Sequence, residues 1–359
     1  MSTLTAIDLF AGAGGLSLAA RNSGIRVLAA IENSKHACST YRKNFIDGKW
    51  KKKRPRLYEE DILSVDPRKV MAELELRTEE LDVLMGGPPC QGYSSHRIKN
   101  AGVEDPRNSL LIRYFAFVRA LKPKVFLVEN VPGLLWERHK KHLTSFKRET
   151  TRSGYALFGP QSLNARDYGV PQNRKRVFMV GVRNDLEATF AWPEATHLAA
   201  GSEKVKLNGH KPWVPAKIVF KDVSRDDDPN DIHMNHSPEL VRVFESTPAN
   251  GGSRRDSCRT LPCHENHNGH KDPYGRIDPS KPGPTMTTAC INPSKGRFVH
   301  PTLHHGITLR QAARFQGFPD TFDFEGGLMA GGVQAGNAVP IPLGQAILHS
   351  IKETLLEES

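Results

Sequence analysis

Five short apolar runs, Thr5–Phe10, Val27–Ile31, Leu81–Met85, Val125–Val128 and Val177–Val180, recur through the first half of the chain, with helix-like stretches between several of them. Runs this short and this apolar read as buried strands, and a helical connection returns each one parallel to its neighbour. The pattern predicts an α/β fold built on a doubly wound, mostly parallel sheet. Such sheets bind ligands outside the carboxyl ends of their strands, so the residues that follow each run are the candidates for chemistry.

After the first run come Ala11-Gly12-Ala13-Gly14-Gly15, and Leu16, Leu18 and Ala19 then open a helix. A strand, glycine turn and helix in this order aim unpaired helix N–H groups at a ligand, and glycine lets that ligand approach the backbone. The dinucleotide fingerprint requires a third glycine where this chain has Ser17, so NAD is not supported. The second run ends in Glu32, where a carboxylate accepts from ribose hydroxyls. The spacing favours a ribose-bearing ligand over an exposed strand-end acid. Asp61-Ile62 either closes a third strand or precedes a turn, and Asp61 is a candidate partner for an adenine amino group.

The third apolar run leads into Gly86-Gly87-Pro88-Pro89-Cys90-Gln91-Gly92-Tyr93-Ser94. Two glycines permit close approach, and two prolines fix the backbone ahead of the Cys90 thiol. Displayed this way, Cys90 is either a nucleophile or a buried cysteine in a proline-bent loop. The fourth run ends in Glu129-Asn130, which sets Glu129 and Cys90 to face one pocket from neighbouring strands. Ahead of the fifth run, Gln172-Asn173-Arg174-Lys175-Arg176 holds two arginines two residues apart. In an extended chain these point the same way and suit a base carbonyl or a phosphate, although basic residues before a strand are also ordinary surface chemistry.

Composition bounds the rest. A chain of 359 residues with 38% hydrophobic content can bury one large core and one small one. Its cysteines, Cys38, Cys90, Cys258, Cys263 and Cys290, are odd in number and widely spread, unlike a disulfide framework. Nothing near Met1 resembles a signal peptide, and no apolar run approaches a membrane span, so a soluble cytoplasmic protein is expected. A net charge of +11 points to a polyanionic partner, though a merely soluble protein can carry such a balance.

Assembled, these residues resemble the DNA (cytosine-5) methyltransferase family, of bacterial restriction-modification or orphan type. Asp8-Leu9-Phe10-Ala11-Gly12-Ala13-Gly14-Gly15 is similar to its cofactor loop, Pro89-Cys90-Gln91 to its nucleophile motif, Glu129-Asn130-Val131 to its acidic motif and Gln172-Asn173-Arg174-Lys175-Arg176 to its paired-arginine motif. Arg314-Phe315-Gln316-Gly317-Phe318-Pro319-Asp320 and Gly336-Asn337-Ala338-Val339-Pro340 complete the set in the family's order. Departures fall at Gln311, where related sequences usually carry glutamate, and at His305-Gly306, where they carry arginine.

The resemblance implies S-adenosylmethionine as cofactor, held by Phe10, Gly12, Gly14, Gly15, Glu32, Asp61, Ile62, Pro89 and Asn337. It implies catalysis by Cys90, Glu129, Arg174 and Arg176 on a cytosine flipped out of double-stranded DNA, with Gln91 and Ser94 on a closing loop. A cognate restriction endonuclease acting separately is a possible partner. An RNA methyltransferase using the same residues and a catalytically idle DNA-binding relative are the alternatives. Every chemical residue is present, which disfavours the idle relative.

The expected domains are a catalytic and cofactor-binding part at 1–183, an irregular target recognition domain at 184–300, and a C-terminal segment at 301–359 that returns to the first. Within 184–300 the alternation stops and proline, glycine and acidic clusters take over. Cys258, Cys263, His264, His267 and His270 fall here without zinc-finger spacing, and no metal is expected. This segment holds 15 Lys and Arg against 15 Asp and Glu, so the whole excess of +11 lies outside it. Arg254 and Arg255 are its candidate groove contacts, while phosphate attraction belongs to the remainder, including the basic run of Lys51, Lys52 and Lys53. Exchanging 184–300 for a relative's segment is expected to change which cytosine is modified and to leave the salt slope of DNA binding nearly constant. Bisulfite sequencing and binding titrations at several salt concentrations read the two effects, and an unchanged target site would refute the division.

Overall fold

The computed structural model describes residues 3–47, 54–88, 108–203, 209–222, 225–258 and 272–356. Pro89, Cys90, Gln91, Ser94, Lys51 to Lys53, Cys263, His264, His267 and His270 lie outside the described residues. Two compact units form, one from Met1–Asn164, Lys175–Glu194 and Gly344–Ser359, the other from Ala165–Arg174 and Ala195–Leu343. These limits differ from the ones expected at 183 and 300. Residues 165–174 join the second unit because Gln172 donates to Phe315 O at 2.8 Å and accepts from Met286 N at 2.7 Å. Asn173 N also donates to Gly283 O, at 2.8 Å.

The first unit is a seven-stranded sheet in the order β3-β2-β1-β4-β5-β7-β6. Its strands are β1 (Thr5–Leu9), β2 (Arg26–Ile31), β3 (Arg56–Tyr58), β4 (Val83–Gly86), β5 (Val125–Asn130), β6 (Tyr155–Asn164) and β7 (Lys175–Arg183). β1 to β5 run parallel, and β7 is antiparallel to both β5 and β6. The mostly parallel doubly wound sheet expected from the alternation is thus present. β6 was not anticipated because its residues are largely polar or half-exposed, as befits an edge strand.

Successive side chains of a strand face opposite ways, and β1 uses both. Ile7 and Leu9 join a core with residues of α3 (Pro67–Glu73), α4 (Asn108–Leu121) and α5 (Lys140–Arg152). Between them, Asp8 faces α1 (Gly15–Asn22) and α2 (Lys35–Tyr41) through Ser17 and Tyr41. Phe115, Phe126 and Phe146 meet edge-on at 5.1 to 6.2 Å, and the Phe126 ring fills the space over Gly181, its partner on β7. Tyr114 donates to the carbonyls of Leu84 and Leu127 at 3.1 and 3.0 Å, tying together the strands that lead to the proline-cysteine loop and to Glu129.

The second unit has short helices at Pro238–Ser246, Leu309–Phe315 and Gly327–Asn337 and much irregular backbone. The departure at Gln311 is accommodated: Gln311 closes a capping box with Thr308, as a glutamate would, at 3.0 and 3.1 Å. His305, in the other departure, stacks on His233 with ring centroids 3.9 Å apart and donates to Gly306 O.

Histidines of this unit are built in as acceptors. His300 Nδ1 accepts from Leu303 N at 3.0 Å and Thr302 N at 3.2 Å, His236 Nε2 from Gly306 N at 3.2 Å, and His304 Nδ1 from Arg276 at 3.0 Å. None of those donors can reverse, so protonating these nitrogens breaks the bonds. Burial, with His305 and Arg276 nearby, pushes His300 down to about 4, and burial also lowers His236 and His305. The unfolded chain therefore binds more protons than the folded one below the ordinary histidine pKa. Stability should fall as pH drops from about 6.5 to about 4, by on the order of 3 kcal/mol for His300 alone. His300→Asn keeps an acceptor and removes the titration. Thermal melting across this window should show a shallower loss in the variant than in the wild type, and equal slopes would contradict the assignment.

Candidate functional site

The turn after β1 is made by left-handed backbone. Phe10, Gly12 and Gly14 have φ of 59°, 56° and 92°. That conformation strains a phenylalanine but is free for glycine, so the strain is confined to the residue at the strand exit. A Cβ on Gly12 would meet nothing within 4 Å, which leaves open space above the turn. Gly14 cannot be replaced for a second reason, because a Cβ there would lie 2.4 Å from the Phe45 ring. Gly15 then starts α1 and is buried.

Glu32 closes the turn from the end of β2. Its Oε2 accepts from Gly12 N at 2.8 Å, and its Oε1 from Asn33 N and Ser34 N at 3.1 and 2.8 Å. Three backbone donors fix the carboxylate, and an ionised carboxylate has about four acceptor sites, so a ligand hydroxyl can still be taken. Ser17, which stands where a dinucleotide site has its third glycine, donates to Asp8 Oδ2 at 2.6 Å and bonds Tyr41 at 2.9 Å. Burial pushes Asp8 up to about 7 against that hydrogen bond. The sequence pattern gave no sign of this Asp8–Ser17–Tyr41 network.

Asp61 is exposed and heads a turn, with Oδ1 accepting from Leu63 N at 2.9 Å, and Ile62 beside it is buried. It follows β3 without extending it, which resolves the two readings in favour of the turn. Arg113, on α4, pins this turn by donating to Ile62 O at 2.9 Å and to Val65 O. The open Gly12 surface, the fixed Glu32 carboxylate and the Asp61 turn all sit at carboxyl ends of parallel strands and suit a ribose-bearing ligand.

At the ends of β4 and β5 the chemistry is acidic and basic together. Arg176 Nε lies 2.8 Å from Glu129 Oε1, with both side chains nearly buried at 12% and 11% exposure. Burial lowers the Arg176 pKa and the Glu129 charge raises it. A Cβ on Gly87 would sit 2.9 Å from Glu129 Oε2, so the glycine ahead of the prolines is the slot in which this carboxylate rests. A Cβ on Gly86 would sit 2.5 Å from Leu9 O, which sets the close approach of β4 to β1.

Two expected site residues are committed elsewhere. Arg174 is 1% exposed and donates to Gly336 O at 2.6 Å, Ala338 O at 3.0 Å and Met286 O, all in the second unit. A guanidinium spent on three buried carbonyls is a structural staple, which corrects its assignment to catalysis. Arg254 is 8% exposed within a short helix, whereas Arg255 is exposed, so of that pair only Arg255 is available to DNA. Asn337 is the exposed last residue of the helix Gly327–Asn337.

Comparison with known proteins gives the same reading. A model of the C-5 cytosine-specific DNA methylase family matches residues 4–353. The Type II methyltransferase M1.HphI of Haemophilus parahaemolyticus is 32% identical over 97% of this chain and 87% of its own. M.Eco47II of Escherichia coli is 32% identical over 98% of this chain and 79% of its own. Among solved structures, a putative DNA modification methyltransferase encoded within an E. coli prophage has the same fold, with a TM-score of 0.73 at 24% identity over 98% of this chain and 99% of that one. The DNMT2 of Spodoptera frugiperda follows at a TM-score of 0.62 and 15% identity, over 97% and 99%. With its sheet order, its glycine turn and its strand-end Glu129–Arg176 pair in place, the chain belongs to the C-5 cytosine-specific DNA methylase family and is a DNA methyltransferase that uses S-adenosylmethionine.

Proposed function

We propose that this enzyme methylates C5 of a cytosine flipped out of a specific sequence in double-stranded DNA, with Cys90 as the covalent nucleophile. The observation that carries the reading is the Glu129 carboxylate, bonded by Arg176 and resting over Gly87, three residues before Cys90. S-adenosylmethionine supplies an electrophilic methyl group; Phe10, Gly12, Gly14, Gly15, Glu32, Asp61 and Ile62 would hold it, with Pro89 and Asn337 as further contacts.

Cytosine C5 is a poor nucleophile until something adds to C6. The Cys90 thiolate adds there and breaks the C5–C6 double bond, so that electron density moves to C5 and toward N3. Glu129 holds a proton at N3 to neutralise that density, and Arg176 binds the ring carbonyl. Once C5 carries its new methyl group, loss of the C5 proton restores the double bond and expels Cys90. A stacked base offers none of these atoms, so the cytosine must leave the helix, and the loop bearing Gln91 and Ser94 closes over it.

Residues 184–300 are the proposed reader of sequence, with Arg255 as a groove contact, between a catalytic part at 1–183 and a returning segment at 301–359. Because the matched relatives are Type II methyltransferases, a separate endonuclease with the same target is the expected companion, and the cytoplasm supplies both DNA and a reduced Cys90. No described helix is long and apolar enough to cross a membrane.

Labelled methyl transfer to duplex DNA, followed by bisulfite sequencing, tests the reading and yields the target. Cys90→Ser should abolish transfer while duplex binding persists, because a hydroxyl is far less nucleophilic at neutral pH; turnover by that variant would remove Cys90 from the mechanism. Gly87→Ala should push the Glu129 carboxylate aside and lower kcat by roughly 100-fold, the scale of a displacement of about 1 Å. Its DNA affinity should barely change. A wild-type kcat in this variant would mean that the Glu129 position seen here is not the productive one.

A further inference from the structure

Between β5 and α5 the chain crosses the carboxyl edge of the sheet, on which Glu129 lies, through two short helical turns, Pro132–Leu135 and Glu137–His139. Leu135 and Trp136 are unusually open for large apolar residues, at 43% and 42% exposure. The Arg138 guanidinium lies over the Trp136 ring, 4.5 Å from its centroid. Its Nε donates to His139 Nε2 at 2.9 Å, and His139 is buried and pushed down to about 4 by burial and by Arg138, so it stays a neutral acceptor.

Arg138 is thus clamped on its face by an indole and on its edge by an imidazole. It is itself exposed, and its two terminal nitrogens meet no hydrogen-bond partner among the described residues. The stacking on Trp136 and the hydrogen bond to His139 use one face and one edge of the guanidinium, and they hold its outer fork of donors toward water in one rotamer. Beside it, exposed Lys141 has no ion pair among the described residues, whereas Lys140 pairs with Glu137 at 3.0 Å. Residues 137–152 carry six Lys and Arg against two Asp and Glu, which is a large part of the charge of the whole chain.

We infer that Arg138, oriented by Trp136 and His139 and assisted by Lys141, grips a backbone phosphate of the substrate duplex beside the flipped nucleotide. A planar fork pre-set at the edge of the site matches phosphate bidentately. This rests on the proposed action on duplex DNA, because the phosphate belongs to that substrate. The helix that follows supplies an internal control: Arg148 is exposed but lies more than two turns into α5, which runs back away from the carboxyl edge.

The test uses the full-length enzyme with a duplex that carries its target site, titrated at several salt concentrations, together with steady-state methyl transfer and thermal melting. Arg138→Ala is expected to weaken duplex binding 5- to 20-fold and to flatten the plot of log affinity against log salt by about 0.9, the loss of one phosphate contact. Its kcat at saturating DNA and its KM for S-adenosylmethionine should hold. Arg138→Lys should keep the salt slope but not the full affinity. Trp136→Ala should weaken binding through loss of the clamp with the slope retained, and Arg148→Ala should match the wild type. A wild-type slope and affinity in Arg138→Ala, with melting unchanged, would overturn the inference while leaving the enzyme's function intact. A lowered melting temperature with an unchanged slope would assign Arg138 to the fold and overturn it equally. A wild-type enzyme that binds no duplex would overturn the proposed function along with it.

Discussion

The Glu129–Arg176 pair exists because one strand runs backwards. β7 is antiparallel to β5, with Asn130 opposite Val177 and Glu129 opposite Phe178, so the amino end of β7 reaches the carboxyl end of β5. Were β7 parallel like its neighbours, Arg176 would begin at the far edge, roughly 20 Å away at about 3.3 Å per residue. The reversal thus brings Arg176 to the edge at which Glu32 and Glu129 emerge. Two charges this buried cannot stand alone, and removing either leaves the other uncompensated, so each serves as the other's partner.

The same edge shows what glycine is for in this fold. At Gly12 the missing side chain leaves open space above the turn, while at Gly87 it leaves space for the protein's own carboxylate. Ser17 has the contrary function. A third glycine there would leave buried Asp8 without its 2.6 Å donor in a position where burial already raises its pKa to about 7. The feature that argued against a dinucleotide in the sequence is therefore part of an internal network beneath the turn.

Elements that bury their residues on a regular period were readable from the chain alone. β1, β2, β4, β5 and β7 and the start of α1 all lie where the apolar runs place them. β6 was not readable, since an edge strand with mixed exposure has no such run. The positions of Glu32 and Glu129 were legible because both follow apolar runs that form parallel strands, and Arg176 was legible from the extended run it opens. Arg174 was misread for an equally physical reason. Spacing of two implies a common direction only within a strand, and β7 begins at Lys175. Nothing local in Gln172-Asn173-Arg174 reveals that carbonyls more than a hundred residues later are its partners. Arg138 had no signal in any motif, because its orientation depends on the ring of Trp136 and the protonation of His139.

The second unit shows why charge counting has to be read through structure. Irregular backbone leaves carbonyls that no ladder satisfies, and here arginines satisfy them. Arg276, 1% exposed, donates to the carbonyls of Phe244, Thr247, His300 and Leu303; Arg314 donates to those of Val219, Lys221 and Asp222. Arg310, fully buried, donates to those of Pro319 and Phe322 and pairs with Asp228. A guanidinium offers five donors in a fixed plane, which lysine cannot imitate, so these positions are specified by hydrogen-bond number more than by charge. Each cation so used is withdrawn from the surface that meets DNA. The balance of fifteen basic and fifteen acidic residues in 184–300 therefore overstates the positive charge this segment can present, because Arg276 and Arg254 are counted in it and both are buried. The sequence reading proposed for this segment therefore rests on directed polar contacts more than on diffuse attraction for phosphate.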